Sequence, residues 1–295
     1  MFQKVKDFMM PIAMLLGGIF YSFFNMFTDL MPYLIFLMLL FTFSKLSPRS
    51  ISVKKLHFIL LALQLGLATA AYFLILPYSK ILAEGAMICF LAPTATSAAV
   101  ITGMLKGDMG FLTVFTLISN VGVAIAAPIL FSMSGMNPDL TFLDSMLRIF
   151  IKVFPLLILP LLCAWAIRLT LPKVQQVMLR FSKMPFYLWS LSLMIVTART
   201  VSSLVNLEKH DVKMELTLAF SALFICCLQF VIGKTIGSKF NNRIASGQSL
   251  GQKNTILAIW MTQVFLNPVA SLAPATYVVW QNIINSYQLW KAQKN

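Results

Sequence analysis

Lys253 is a cation inside an otherwise apolar stretch, SGQSLGQKNTILAIWMTQVFLNP (246–268), and Ser249, Gln252, Asn254 and Thr255 stand beside it with Gly247 and Gly251. A second polar cluster, Thr94, Thr96 and Ser97, follows Pro93 in ICFLAPTATSAAVITGMLKGD (88–108). Proline removes a backbone donor and clashes with the preceding turn, and the hydroxyl residues after it can satisfy the freed groups. In hydrocarbon such clusters are tolerated only where they line a cavity or are buried in protein. Two interrupted helices crossing at mid-membrane would aim the N-termini of their second halves at one point. Each N-terminus carries about half a positive charge and free N–H groups. The chemistry expected there is capture of an anion such as a carboxylate or sulfonate. The plainer alternative is a proline kink in one helix and a loop-proximal polar start to the other.

A charged side chain at the bilayer centre costs roughly 2.5–3.5 kcal/mol, so Lys253 is either a functional group at depth or a lysine snorkelling to an interface. Arg199, in VTARTVSSLV (196–205), poses the same choice. Facing a cavity, it would favour a carboxylate, sulfate or phosphate head group. Intramembrane catalysis would need converging Asp, Glu, His or Ser–His groups. The histidines are His57 at a helix start and His210 in a loop, and Glu84 lies near a helix end. The reading is therefore not an enzyme, with no catalytic residue, metal or cofactor expected.

The elements that must hold these residues follow from composition. The chain has 295 residues, 59% hydrophobic and 11% charged, whereas soluble domains carry about 25% charged residues. Its apolar residues come in long runs, and about 20 of them span the hydrocarbon as a helix. Barrel strands alternate apolar and polar residues, and nothing here alternates, so the fold expected is an all-α polytopic membrane protein. The net charge of +14 could mean nucleic acid, but the basic residues collect in short loops, so no nucleic-acid partner is expected. The four cysteines (Cys89, Cys163, Cys226, Cys227) lie in apolar runs and read as unpaired packing residues. The first run lacks a small-residue cleavage site and reads as a helix rather than a signal peptide.

Ten spans are expected, near 8–25, 30–46, 57–77, 81–105, 110–134, 147–171, 185–206, 214–238, 249–271 and 274–291, in one domain without a linker. With both termini cytoplasmic, sixteen basic residues lie on the inner side and five (Lys80, Arg148, Lys152, Lys209, Lys213) outside, and most acids, Glu84 included, fall outside. That asymmetry sets the orientation. Five plus five spans force an inverted second half. Spans 4 and 9 are both polar in the middle, and Gln64 of span 3 has a counterpart in Gln229 of span 8.

The residues from Pro93 to Asp108 (P-x6-V-x-T-x3-K-G-D), those from Gly251 to Asn254 (G-x-x-N), and the terminal LAPATYVVWQNIINSYQLW (272–290) together resemble the bile acid:sodium symporter family. The similarity runs over essentially the full length and points to a bacterial branch. It implies a panel of spans at 8–46 and 147–206 against a core of spans at 57–134 and 214–291, with broken spans 4 and 9 crossing in the core. It also implies small organic anions as substrates, bound between panel and core, and alternating access in a bacterial inner (plasma) membrane. The substrate-binding residues so implied are Thr94, Thr96, Ser97, Asn254, Thr255 and Arg199. The oligomeric state is not implied.

The departures fall on the family's sodium ligands. Ala98 and Ala99 stand where it has Ser-Asn, Ser249 where it has a glutamate, and Lys253 where it has a glutamine. Asn254 is retained, Thr116, Ser119 and Asn120 keep oxygen ligands, and Gln64 aligns with another. The cation-site remnant is thus Lys253, Ser249, Gln252, Gln64, Thr116, Ser119 and Asn120. Two unit charges about 4 Å apart repel by roughly 4 kcal/mol at an effective dielectric of 20, nearly three decades of affinity. A charged Lys253 and a bound sodium should therefore exclude each other, and sodium is disfavoured. The ammonium is expected to take the cation's place, bonded to Gln64, Asn120 or nearby carbonyls. Coupling then remains open between a proton carried by the lysine, a charged lysine in a uniporter or exchanger, and sodium. A sensor that kept a carrier's fold is the remaining alternative.

Overall fold

A backbone surrounded by hydrocarbon must satisfy its own polar groups, and the apolar runs do so as helices. The computed structural model describes residues 9–46, 52–95, 97–134, 141–181, 183–206 and 211–294. Among them the only extended pairing is one isolated bridge. The helices are α1 (Met9–Ile19), α2 (Tyr21–Asn25), α3 (Met31–Phe43), α4 (Lys55–Ile75), α5 (Lys80–Leu91), α6 (Ala98–Met104) and α7 (Met109–Met133), then α8 (Phe142–Thr170), α9 (Pro172–Arg180), α10 (Met184–Val205), α11 (Val212–Ser238), α12 (Arg243–Gly251), α13 (Thr255–Phe265) and α14 (Leu272–Lys294). Five of them (α4, α7, α8, α10 and α11) are long and apolar enough to cross a membrane. The architecture is that of an all-α membrane protein. Outward-facing side chains such as Leu15, Phe23, Leu74, Ile125, Phe220 and Phe224 are large and apolar, as a lipid-facing surface requires.

The chain divides into two compact units, residues 1–48 with 155–211 and residues 49–154 with 212–295. The division falls inside α8, between Phe154 and Pro155. In the first unit α1 and α2 pack on α10, and a Cβ on Gly17 would strike the backbone of Met194, so a small residue sets that approach. The α8–α9 corner is tied to the end of α3 by Arg168 Nη1 donating to Leu46 O (3.3 Å) and Gln175 Nε2 to Ser44 O (3.4 Å). The short α9 lies beyond the expected sixth span. The expected first span is divided at Phe20, which leaves the helical region with φ −99° and ψ 37°.

In the second unit α11 packs on α12 at backbone distance: a Cβ on Gly233 would lie 2.9 Å from Gly247 Cα. An apolar cluster of Leu56, Leu60, Ala98, Phe111, Leu112, Phe115, Ala245 and Leu250 binds α4, α6, α7 and α12 together. Both expected interruptions are present. The expected fourth span corresponds to α5 and α6 with residues 92–97 between them, and the expected ninth to α12 and α13 with residues 252–254 between them. The helix expected to start at 249 is corrected: it begins at Arg243, so the polar residues around Lys253 lie between two helices and not at the start of one. Residues 243–249 are polar enough to read as loop, but burial against α11 holds them helical.

All four cysteines are free, Cys89 and Cys226 buried, Cys163 partly buried and Cys227 exposed. Glu84, expected on the outer side, is fully buried. Its carboxylate accepts from Ser134 Oγ and from the Asn267 N–H (2.8 Å), tying α5 to the ends of α7 and α13. Expected loop residues including Lys4, Lys6, Arg49, Asp139, Glu208, Lys209 and His210 lie outside the described residues.

Candidate functional site

A helix ends with carbonyls that have no partner of their own. The last turn of α5 is buried, so water does not supply one, and three side chains from other elements do. Gln229 Nε2 of α11 donates to Cys89 O (3.1 Å), Lys253 Nζ to Phe90 O (2.8 Å), and Gln64 Nε2 of α4 to both Leu91 O (2.8 Å) and Ala92 O (3.0 Å). Pro93 then accepts from the Asn254 N–H (2.8 Å), and the Ala95 N–H donates to Gln252 O (2.9 Å). These two bonds close an antiparallel bridge between Thr94 and Lys253. The two interruptions therefore satisfy each other's backbone.

The end of α12 is closed in the same way. Thr94 Oγ1 donates to Ser249 O (2.7 Å) and Tyr277 OH to Gly251 O (2.9 Å). Gln281 of α14 brackets Lys253, accepting its N–H at Oε1 (2.8 Å) and donating Nε2 to its carbonyl (3.3 Å). Ser119 Oγ of α7 donates to Gln64 Oε1 (2.9 Å) and accepts the Thr94 N–H (3.3 Å). Gln252 Nε2 donates to Ser97 Oγ (3.0 Å).

Lys253 is 1% exposed, and among the described residues no carboxylate lies within 4 Å of its ammonium. The negative pole of α5, worth about half a charge, faces it instead. Of the expected ammonium partners, a carbonyl is correct and the two amides are not. Gln64 is committed to Leu91, Ala92 and Ser119. Asn120 Nδ2 bonds Thr116 O of its own helix (2.7 Å), and Thr116 Oγ1 bonds Leu112 O (3.0 Å).

Thr94, Ser97, Gln64, Ser119, Ser249, Gln252, Lys253 and Asn254 thus meet at one place. Asn254 also caps α13, accepting the Leu257 N–H at 3.3 Å, and Thr255 is buried with its N–H on Lys253 O (2.9 Å). Thr116 and Asn120 are buried in α7 but spend the bonds described within that helix. Thr96 lies outside the described residues. Arg199 belongs to the first unit, where it is partly buried on α10 and attracted by Asp29. The residues missed were Tyr277 and Gln281. Each is a polar group in the apolar run of α14, and that was the signal available. Comparison with protein-family models and with curated proteins finds no match to this chain.

Proposed function

We propose that this chain is a secondary transporter that moves a small organic anion across a membrane by alternating access, without sodium, the Lys253 ammonium standing in for the cation. The observation that carries this reading is the bond from Lys253 Nζ to Phe90 O. It puts one positive charge at the negative end of an interrupted helix, where the backbones of the two interruptions pair. Among the described residues, Asn120 Oδ1, Ser249 Oγ and Gln252 Oε1 are buried oxygens without a hydrogen-bond partner. The expected donor set nevertheless brings no negative charge to balance a sodium ion. Ala98 and Ala99 bring no side-chain oxygen, Ser249 brings no charge, and Gln64 and Ser119 are bonded to each other and to the backbone.

The wider reading rests on the resemblance to the bile acid:sodium symporter family. It holds ten spans as an inverted five-plus-five repeat, with a panel (8–46, 147–206) and a core (57–134, 214–291). It places the protein in a bacterial inner membrane with both termini cytoplasmic. The anion's site is read as the crossing, beside Ser97, Asn254 and the start of α13.

The test is uptake by proteoliposomes, after a thermal-shift screen of small carboxylates and sulfonates identifies a ligand. Uptake should not change as external sodium is raised, and Lys253→Gln should restore part of a sodium dependence. Strong sodium stimulation of the unaltered protein overturns the reading.

A further inference from the structure

Away from the crossing, the second unit carries an open cavity of about 610 Å³ formed by the start of α4, the α6–α7 turn and the α11–α12 turn. We infer that this cavity binds a phosphate-bearing anion, as a lipid head group or as a soluble phosphate compound. Lys54, Lys55, Lys106 and Arg243 line it, and Asp108 is the one acid among the lining residues. That carboxylate is already engaged: Oδ1 accepts the Phe111 N–H at 2.8 Å and Oδ2 lies 3.7 Å from Lys54 Nζ. A surplus of positive charge is left concentrated on one concave surface.

The backbone adds to it. Helices α4, α7 and α12 all begin at this cavity, and each start contributes about half a positive charge. The first two starts are closed by side chains, with His57 Nδ1 accepting the Lys54 N–H (2.8 Å) and Asp108 accepting that of Phe111. The start of α12 has no side-chain cap.

The two turns on the rim are also held in place. Lys106 (φ 61°) and Asn241 (φ 54°) are left-handed, and each sits in a paired-bond helix ending. Gly107 N donates to Thr102 O (2.8 Å) with Lys106 N to Gly103 O (2.9 Å), and Asn242 N to Gly237 O (2.8 Å) with Asn241 N to Ser238 O (3.4 Å). The apolar cluster that joins α4, α6, α7 and α12 lies next to them along the chain and holds their helices together. The cations are therefore presented by a preorganised frame rather than by loose loops.

Several donors on one concavity suit a group that presents several acceptor oxygens in different directions, which is phosphate rather than a single carboxylate. Basic pockets between membrane helices take phospholipid head groups by this chemistry. Because α6 and α12 run from this cavity to the Thr94–Lys253 bridge, a bound anion would tie together the far ends of both half-helices.

The test uses the full chain in phosphatidylcholine nanodiscs, with thermal unfolding as the readout. Phosphatidylglycerol is added to the discs in one arm, and inorganic phosphate or pyrophosphate to the buffer in the other. A rise in midpoint with the lipid identifies a head-group site, and a rise with the soluble anions in plain discs identifies a phosphate site. Either rise should weaken as salt is raised. It should also require about tenfold more probe in Lys106→Gln/Arg243→Gln, while Lys173→Gln on α9 of the first unit changes nothing. Should the double variant misfold, each single variant, altered at an exposed side chain, should show a partial loss by direct binding of pyrophosphate. The inference is overturned if neither probe raises the midpoint, if the variants bind as the unaltered protein does, or if Lys173→Gln loses as much.

Discussion

Lys253 Nζ donates to the carbonyl of Phe90 at 2.8 Å, so a buried ammonium closes the end of a helix from the other half of the second unit's sequence. The two groups answer each other's need. The carbonyl is an orphan of a buried helix end, and the cation has lost its water and is compensated by the helix pole rather than by a carboxylate.

Lys253→Glu should therefore abolish folding of the second unit, because a carboxylate at this point faces carbonyl oxygen at a negative pole. Breaking a buried charge arrangement in this way costs about 3–5 kcal/mol. Lys253→Gln removes the buried charge and keeps a donor one bond shorter, so its thermal midpoint should stay near that of the unaltered protein. Size-exclusion profiles and thermal unfolding of both variants in detergent check this, and equal losses in the two would contradict it.

Gln64 carries more of the closure than any other side chain, since its amide meets Leu91 O, Ala92 O and Ser119 Oγ at once. Gln64→Leu takes this donor from both carbonyls and the acceptor from the Ser119 hydroxyl proton, at about 1–3 kcal/mol for each buried group left unsatisfied. Gln229→Leu loses only the bonds to Cys89 O and Tyr277 OH. The expected order of thermal midpoints is unaltered protein, then Gln229→Leu, then Gln64→Leu.

Much of this arrangement could be read from the residues, and the remainder has a physical reason for being hidden. The α5 interruption was legible because Pro93 cannot continue a helix. Lys253 was legible as a charge with no apparent reason to be where it is. The beginning of α12 was not, because RIASGQS (243–249) reads as loop until Gly233 and Gly247 are seen to let α11 approach at backbone distance. The lysine's partner was hidden for a deeper reason: a main-chain carbonyl has no sequence signature, so Phe90 could not be named. The burial of Glu84 was hidden because a lone acid near a helix end looks solvated, and only the fold brings Ser134 and the Asn267 N–H to it.

Glycine substitutions separate close packing from propensity. A Cβ on Gly233 would meet backbone of Ser246 and Gly247, whereas one on Gly66 in α4 meets nothing within 4 Å. Gly233→Ala should lower the midpoint by forcing α11 and α12 apart. Gly66→Ala should raise it slightly, since alanine is favoured over glycine inside a helix by up to about 1 kcal/mol. Thermal unfolding of the two variants side by side is sufficient.

Asp108 does two jobs of unequal weight, capping α7 through Phe111 and pairing with Lys54. Losing an N-cap costs about 1 kcal/mol, and an exposed pair is worth roughly 0–1 kcal/mol. Asp108→Ala should therefore destabilise clearly, Asp108→Asn only a little because the cap survives, and Lys54→Ala hardly at all. A loss in Lys54→Ala as large as in Asp108→Ala would mean that the ion pair and not the cap holds the turn.

Lys106 and Asn241 place non-glycine residues in the left-handed region on the rim of one cavity. A Cβ there is disfavoured, so glycine at either position should relieve up to about 1 kcal/mol, less for asparagine, which tolerates this region. The two substitutions should then part company. Asn241→Gly removes no charge and should raise the thermal midpoint with phosphate or phosphatidylglycerol stabilisation intact. Lys106→Gly should also raise the midpoint but lose part of that stabilisation, because one of the four cations lining the cavity is removed. Midpoints measured with and without each probe decide it, and a Lys106→Gly protein that is both more stable and equally responsive would mean that the strained turn serves the fold alone.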